Sequence, residues 1–173
     1  MSNNLKEEVS FKGKLTFEDY RKSSFYHSRN RFLKTLLILF ISYTLVFWGI
    51  YTKRFDTTAI LLALSCSIVT EIFLIITTYF RIKSVFYSES LLKLEQNYFA
   101  NMDGISIKTE QTNALYLWND IIASKEYKDM FILQVSKIKA MVIPKRYFSS
   151  EDDIKCFKSL IIEKSMSSKV KLL

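Results

Sequence analysis

Two long apolar runs separate two patterned, more polar flanks. Residues 35–52, TLLILFISYTLVFWGIYT, carry no charge in 18 positions, and residues 57–80 carry one in 24. At about 1.5 Å rise per residue, helices over these runs would be roughly 27 and 36 Å long, against a hydrocarbon core of about 30 Å. Core helices of soluble proteins seldom run that far without a polar face. The pattern therefore predicts a two-helix transmembrane hairpin that turns at residues 53–56.

The flanks have shorter periods. In EEVSFKGKLTFEDYRKSS, Val9 and Phe11 suggest a short strand, and Thr16 with Asp19 three residues on matches a helix N-cap. Phe17, Tyr20, Phe25, Tyr26 and Phe32 would line an amphipathic helix lying at the membrane interface and running into the first span, so that residues 1–34 hold a strand and an interfacial helix. After the second span, residues 81–95 continue as a helical extension. From Asn97 the pattern is that of strands: NYFANMDGISIKTE sets an Asp-Gly turn between alternating runs, a strong hairpin signal. Further on, Phe131, Leu133 and Val135 alternate onto one face, with turn-like breaks near Lys128-Asp129 and from Ser136 to Lys139.

Beyond Pro144, SSEDDIKCFKSLIIEKS offers Ser149 or Ser150 as N-cap, acids in the first turn, and Ile154, Phe157 and Ile161 at helical spacing. Residues 96–165 are thus expected to form an α+β domain, an antiparallel sheet with a C-terminal capping helix, and residues 166–173 a tail.

Charge orients this layout. The formal net charge of +8 falls as +4 over residues 1–34, zero over 35–80 and +4 over 81–173. Arg21, Lys22, Arg29, Arg31 and Lys34 lead into the first span and Arg81 and Lys83 follow the second, whereas the connection offers Lys53 and Arg54. The bias favours both termini in the cytoplasm, with a basic juxtamembrane surface facing anionic lipid, so the basic charge calls for no nucleic-acid partner. The polar first 34 residues argue against a cleaved signal peptide. Cys66 and Cys156, the two cysteines, are too few for a disulfide framework and are expected to be reduced packing residues.

Candidate chemistry is sparse. Gly13, Gly49 and Gly104 are the only glycines and supply no phosphate-cradling loop. His27, the single histidine, fits an interfacial polar residue, and Glu151, Asp152 and Asp153 fit a helix start. No catalytic residue, metal ligand or cofactor is expected. Trp118 in LWND is read as a core anchor. Lys145 and Arg146 follow the only proline, where they could present two cations to a lipid headgroup or an acidic partner; the alternative is a rigid corner with solvated charges.

Glu71 has the strongest claim to a role. An acid near the bilayer centre costs at least about 2.5 to 3.5 kcal/mol, so it should not face lipid. Counting back in fours gives Ser67, Ala63 and Ala59, a stripe of small residues that lets another helix approach closely. In a hairpin about 53–56, Glu71 is level with Ile38, and the hydroxyls of Thr35, Ser42 and Ser67 could hydrogen-bond its carboxyl. The stripe joins either the two spans of one chain or the second span to another copy or another membrane protein.

The stretches LYLWNDI, KEYKDMFIL and VIPKRYF, followed by the acidic helix start, resemble the YcxB-like family of bacterial membrane proteins, and the opening FKGKLTFEDYRK fits the same layout. The resemblance implies a bacterial cell (inner) membrane location and a cytoplasmic part with a pleckstrin-homology-like (PH-like) fold. It brings no catalytic residues. The expected role is binding, as an adaptor or sensor whose partners are the bilayer and a recruited protein or lipid. The alternative is an immunity protein that protects the producing cell from a membrane-active or secreted toxin through intramembrane contacts at Glu71 and the stripe.

Overall fold

The structure is a computed structural model that describes residues 8–50, 57–136, 139–164 and 170–172. The chain divides into two compact units, one made of the residues up to Tyr20 with those from Glu89 onward, the other of Arg21–Ser88. Its elements are β1 (Val9–Lys14), α1 (Phe17–Ile50), α2 (Thr57–Ser88), β2 (Glu95–Ala100), β3 (Gly104–Lys108), β4 (Asn113–Leu117), β5 (Ala123–Glu126), β6 (Met130–Gln134), β7 (Ala140–Pro144), α3 (Glu151–Lys164) and β8 (Val170–Lys171).

The first unit has two four-stranded sheets rather than one. Strands β1-β2-β3-β4 form an antiparallel sheet, and β7-β6-β5-β8 form the other, with β8 parallel to β5. Alternation turns Val9, Phe11, Tyr98, Ala100 and Ile105 of the first sheet into the same core as Phe131, Leu133 and Ile143 of the second. Phe131 and Leu133 share that face as their spacing requires, but Met130 and Ile132 are buried too, so β6 is covered on both faces.

α3 closes the core. Ser150 is its cap, taking the Asp153 N–H at 3.1 Å on its hydroxyl. Phe157 is the hub, its ring centroid 5.3 Å from Phe11, 5.3 Å from Phe131, 5.4 Å from Phe148 and 6.5 Å from Trp118. Cys156 is a buried packing residue beside it. Trp118 is buried, and its indole N–H donates to the Asn101 carbonyl at 2.8 Å.

Two glycines admit close neighbours. The β2–β3 hairpin turns on Asn101, whose side-chain oxygen accepts the N–H groups of Asp103 and Gly104 at 3.0 and 3.2 Å. Gly104 opens β3, where a Cβ would run into the Tyr116 carbonyl oxygen of β4. At Gly13 a Cβ would enter the Tyr147 ring.

In the second unit α1 and α2 are the two long helices. α1 starts on the expected cap: the Thr16 hydroxyl accepts the Asp19 N–H at 3.3 Å, and the Asp19 carboxylate accepts the Thr16 N–H at 2.9 Å. From there it is one helix to Ile50, with no break between the basic, aromatic segment and the apolar run. The Tyr43 hydroxyl and Thr70 Oγ1 lie 2.9 Å apart and tie α1 to α2. Residues 53–56, the expected turn, lie outside the described residues, as does most of the tail.

Candidate functional site

Lys145 and Arg146 occupy a 3-10 turn between β7 and α3, and both are engaged within their own unit. Lys145 Nζ lies 2.6 Å from Glu126 Oε1, and Lys158 Nζ lies 2.9 Å from the other oxygen of the same carboxylate. Glu126 is buried, and the two ammonium groups compensate its charge there. Arg146 makes a two-pronged pair with Asp19, each prong 2.5 Å, and its Nη2 also donates to the Lys14 carbonyl at 3.2 Å.

Burial alone would raise the Asp19 carboxyl, but hydrogen bonds from Arg146 and Thr16 outweigh it and hold the group below the usual aspartate range. The hydrogen bond to Asp19 raises the Arg146 guanidinium correspondingly. Tyr98 and Tyr147, which line the neighbouring core, are pushed upward mainly by burial. Both cations of the corner are thus paired with acids of their own unit, Arg146 while remaining half exposed. Asp19 was legible as a cap and not as an arginine partner, because 127 residues separate the two.

In the helical unit, Ala63, Ser67 and Glu71 are the buried residues of one α2 stripe, and Ala59 is half-buried one turn before them. Thr70 lies on the same helical face, so its bond to Tyr43 turns the stripe toward α1. The hydroxyls expected around Glu71 are used elsewhere. Thr35 donates to Arg31 O, Ser42 to Ile38 O and Ser67 to Leu64 O.

Ile38 and Ser42 are exposed, whereas Leu36, Leu39, Phe40, Tyr43 and Phe47 form the half-buried face of α1. Matching heights along an antiparallel hairpin gives the level of a residue but not its rotational phase. Ser42 sits about 100° round the helix from Tyr43 and points away from α2. Glu71 is 6% exposed, and neither carboxylate oxygen has a hydrogen-bond partner among the described residues.

A third feature carried no sequence signal. A cleft of about 250 Å3 opens in the first unit, with Tyr98, Ile107, Ala114, Tyr116 and Met141 among its lining and the exposed Lys139 beside them. Ala114 and Tyr116 belong to β4, and Met141 to β7, the outer strands of their sheets. Lys139 Nζ donates to the Tyr116 hydroxyl at 2.8 Å. No group of three or more metal-ligating side chains occurs among the described residues.

The fold defines a class: a small α+β domain whose first two strands are separated along the chain by two long apolar helices. Residues 101–161 match the family described as YcxB-like protein. A Bacillus subtilis (strain 168) relative named Uncharacterized protein YcxB is 24% identical over 177 aligned residues, which take in 95% of this chain and 94% of that relative. The two matches support membership of the YcxB-like family, and all three stretches LYLWNDI, KEYKDMFIL and VIPKRYF fall inside the matched segment. No solved structure matches the chain.

Proposed function

We propose that the protein is a bacterial membrane-anchored adaptor: α1 and α2 cross the bilayer, both termini are cytoplasmic, and the α+β domain binds a partner without catalysis. The observation that carries this is the outward apolar surface of the helices. Ile38, Val69 and Phe73 are 63%, 67% and 64% exposed, while the interior face of α2 holds small residues and one acid. A soluble unit would leave that surface in water, where patches of such extent are rare. The basic flanks support the orientation. Four antiparallel strands, then three more and a closing helix support a PH-like reading of the domain.

The stripe with Glu71 is read as the seam between the two spans, so the partner-binding role goes to the domain rather than to intramembrane contacts with a toxin.

Site-directed labelling tests the anchor. Cysteines placed at Ser10 and Ser106, on the outer face of the first sheet, should react with an impermeant maleimide only in inverted vesicles. Reaction in intact cells, or release of the full chain from membranes at alkaline pH, would overturn the reading.

A further inference from the structure

β4 is an outer strand whose sequence, Asn113–Leu117, NALYL, contains neither charge nor proline. The other outer strands are guarded: β1 carries Lys12 and Lys14, β8 carries Lys171, and β7 ends in Pro144. Sheets ordinarily protect their edges in those ways, because an unguarded edge pairs with any available strand.

The ladder fixes which groups β4 offers. Thr109 N–H donates to Thr112 O at 2.8 Å and Trp118 N–H to Asp103 O at 3.4 Å, with Lys108↔Asn113 to Gly104↔Leu117 in register between them. Thr112, Ala114, Tyr116 and Trp118 therefore turn their backbone toward β3. Asn113 and Leu115 turn N–H and C=O to the open edge, and Leu117 turns its N–H there, its carbonyl belonging to the N-cap of the 3-10 turn Trp118–Asp120. The side chains of Ala114 and Tyr116 line the cleft, and Leu115 and Leu117 are 61% and 46% exposed on the opposite face.

We propose that the open edge of β4 and the adjoining cleft form a strand-addition site for an extended partner peptide that alternates apolar and polar side chains and places a carboxylate beside Lys139. The proposal rests on the adaptor reading and names its partner class. Main-chain bonds from Asn113, Leu115 and Leu117 supply pairing, and every second side chain enters the cleft. At about 250 Å3 the cleft is small for a free-standing ligand, whose sites usually start near about 300 Å3, but suits a few side chains of a strand.

Charge selects the occupant. Lys139 has the Tyr116 hydroxyl and ring as partners and no carboxylate among the described residues. A second copy pairing β4 with β4 about Leu115 would bring no acid to it, since the strand has none.

The test uses the full chain in detergent micelles and a fluorescent synthetic peptide alternating valine and threonine with a terminal glutamate. Saturable binding is expected, absent for a peptide of the same composition with its valines in one block. Leu115→Pro deletes an outward N–H and leaves the β3 ladder intact, so affinity should fall about tenfold or more. Lys139→Glu should reverse the preference between glutamate-ended and lysine-ended peptides.

Amide exchange on the unsubstituted protein gives a second readout that needs no variant to fold: saturating peptide should protect the N–H groups of Leu115 and Leu117 and leave Ala114 unchanged. No saturable binding at millimolar peptide, equal binding of the blocked peptide, or protection elsewhere would overturn the proposal. A dimer without peptide that Leu115→Pro abolishes would overturn it too, by assigning the edge to a second copy. None of these results would alter the labelling pattern, which tests the anchored adaptor separately.

Discussion

Replacing Arg146 by methionine should destabilise the α+β unit by about 1–3 kcal/mol. Removing one partner of a buried ion pair typically costs about 3–5 kcal/mol, because the other charge is stranded. Here the Asp19 side chain is 9% exposed, but that of Arg146 is 48% exposed, so solvent already screens part of the pair. Asp19 also keeps its bonds to Thr16 after the change, which lowers the cost further.

Urea unfolding of the full chain in micelles, followed by Trp118 fluorescence in a Trp48→Phe background, would read the loss as a midpoint shift of roughly 1 M. Asp19→Asn combined with Arg146→Met should cost less than the sum of the single changes, since no charge is then stranded. The carboxyl of Asp19 is depressed on folding, so its contribution is complete above an ordinary aspartate value of about 3.9. It fades as pH falls through the lower folded value. Arg146→Met should flatten that acid limb. Unchanged stability in Arg146→Met, or single changes that add without coupling, would refute the assignment.

Three further outcomes follow from named contacts. Lys145→Met and Lys158→Met should each be tolerated better than the double variant, because either ammonium alone still compensates the buried Glu126 carboxylate; an additive double variant in the same urea assay would contradict the shared-acceptor geometry. Gly104→Ala should cost about 1–3 kcal/mol, since the new Cβ meets backbone at Tyr116 rather than a yielding side chain, and a wild-type midpoint would argue against so close an approach. Glu71→Met, similar in length, removes a buried carboxyl that has no hydrogen-bond partner among the described residues, so amide exchange in α2 should slow or stay level; faster exchange would mean that the acid has a stabilising partner.

What was legible in the sequence were features of local period. The apolar runs, the Thr16–Asp19 cap, the hairpin at Asp103-Gly104 and a cap of α3 at Ser149 or Ser150 all show in short stretches of sequence. What was hidden depends on how elements meet. The strand alternation identified inward faces at Phe131 and Leu133 but could not divide the strands between two sheets, nor foresee that Met130 and Ile132 would also be covered. β8 is two residues long, too short to carry a period. At the corner, Lys145 and Arg146 looked available because their acids lie 19 and 127 residues away. In the hairpin, the small-residue stripe was visible at its spacing of four, yet the phase that turns Tyr43 toward α2 and Ser42 away follows from one tyrosine–threonine contact.

The two long helices interrupt the domain between β1 and β2. β1 and β2 pair from Val9↔Ala100 to Lys14↔Glu95 although both long helices lie between them. Closing a flexible loop of that size carries an entropic cost that grows with the logarithm of its length. α1 and α2, of 34 and 32 residues, are nearly equal in length, so an antiparallel pair returns the chain to the level at which it left. On that view formation of the hairpin presents β2 to β1 and replaces a random search by a short one. Phe11 of β1 stacks on Tyr98 of β2 and packs against Phe148 and Phe157 near the other end of the chain, so the core joins residues from both sides of the two helices. The cap at Thr16 and the pair between Asp19 and Arg146 sit where α1 emerges from the domain, which makes that junction the point at which helix formation and core closure stabilise one another.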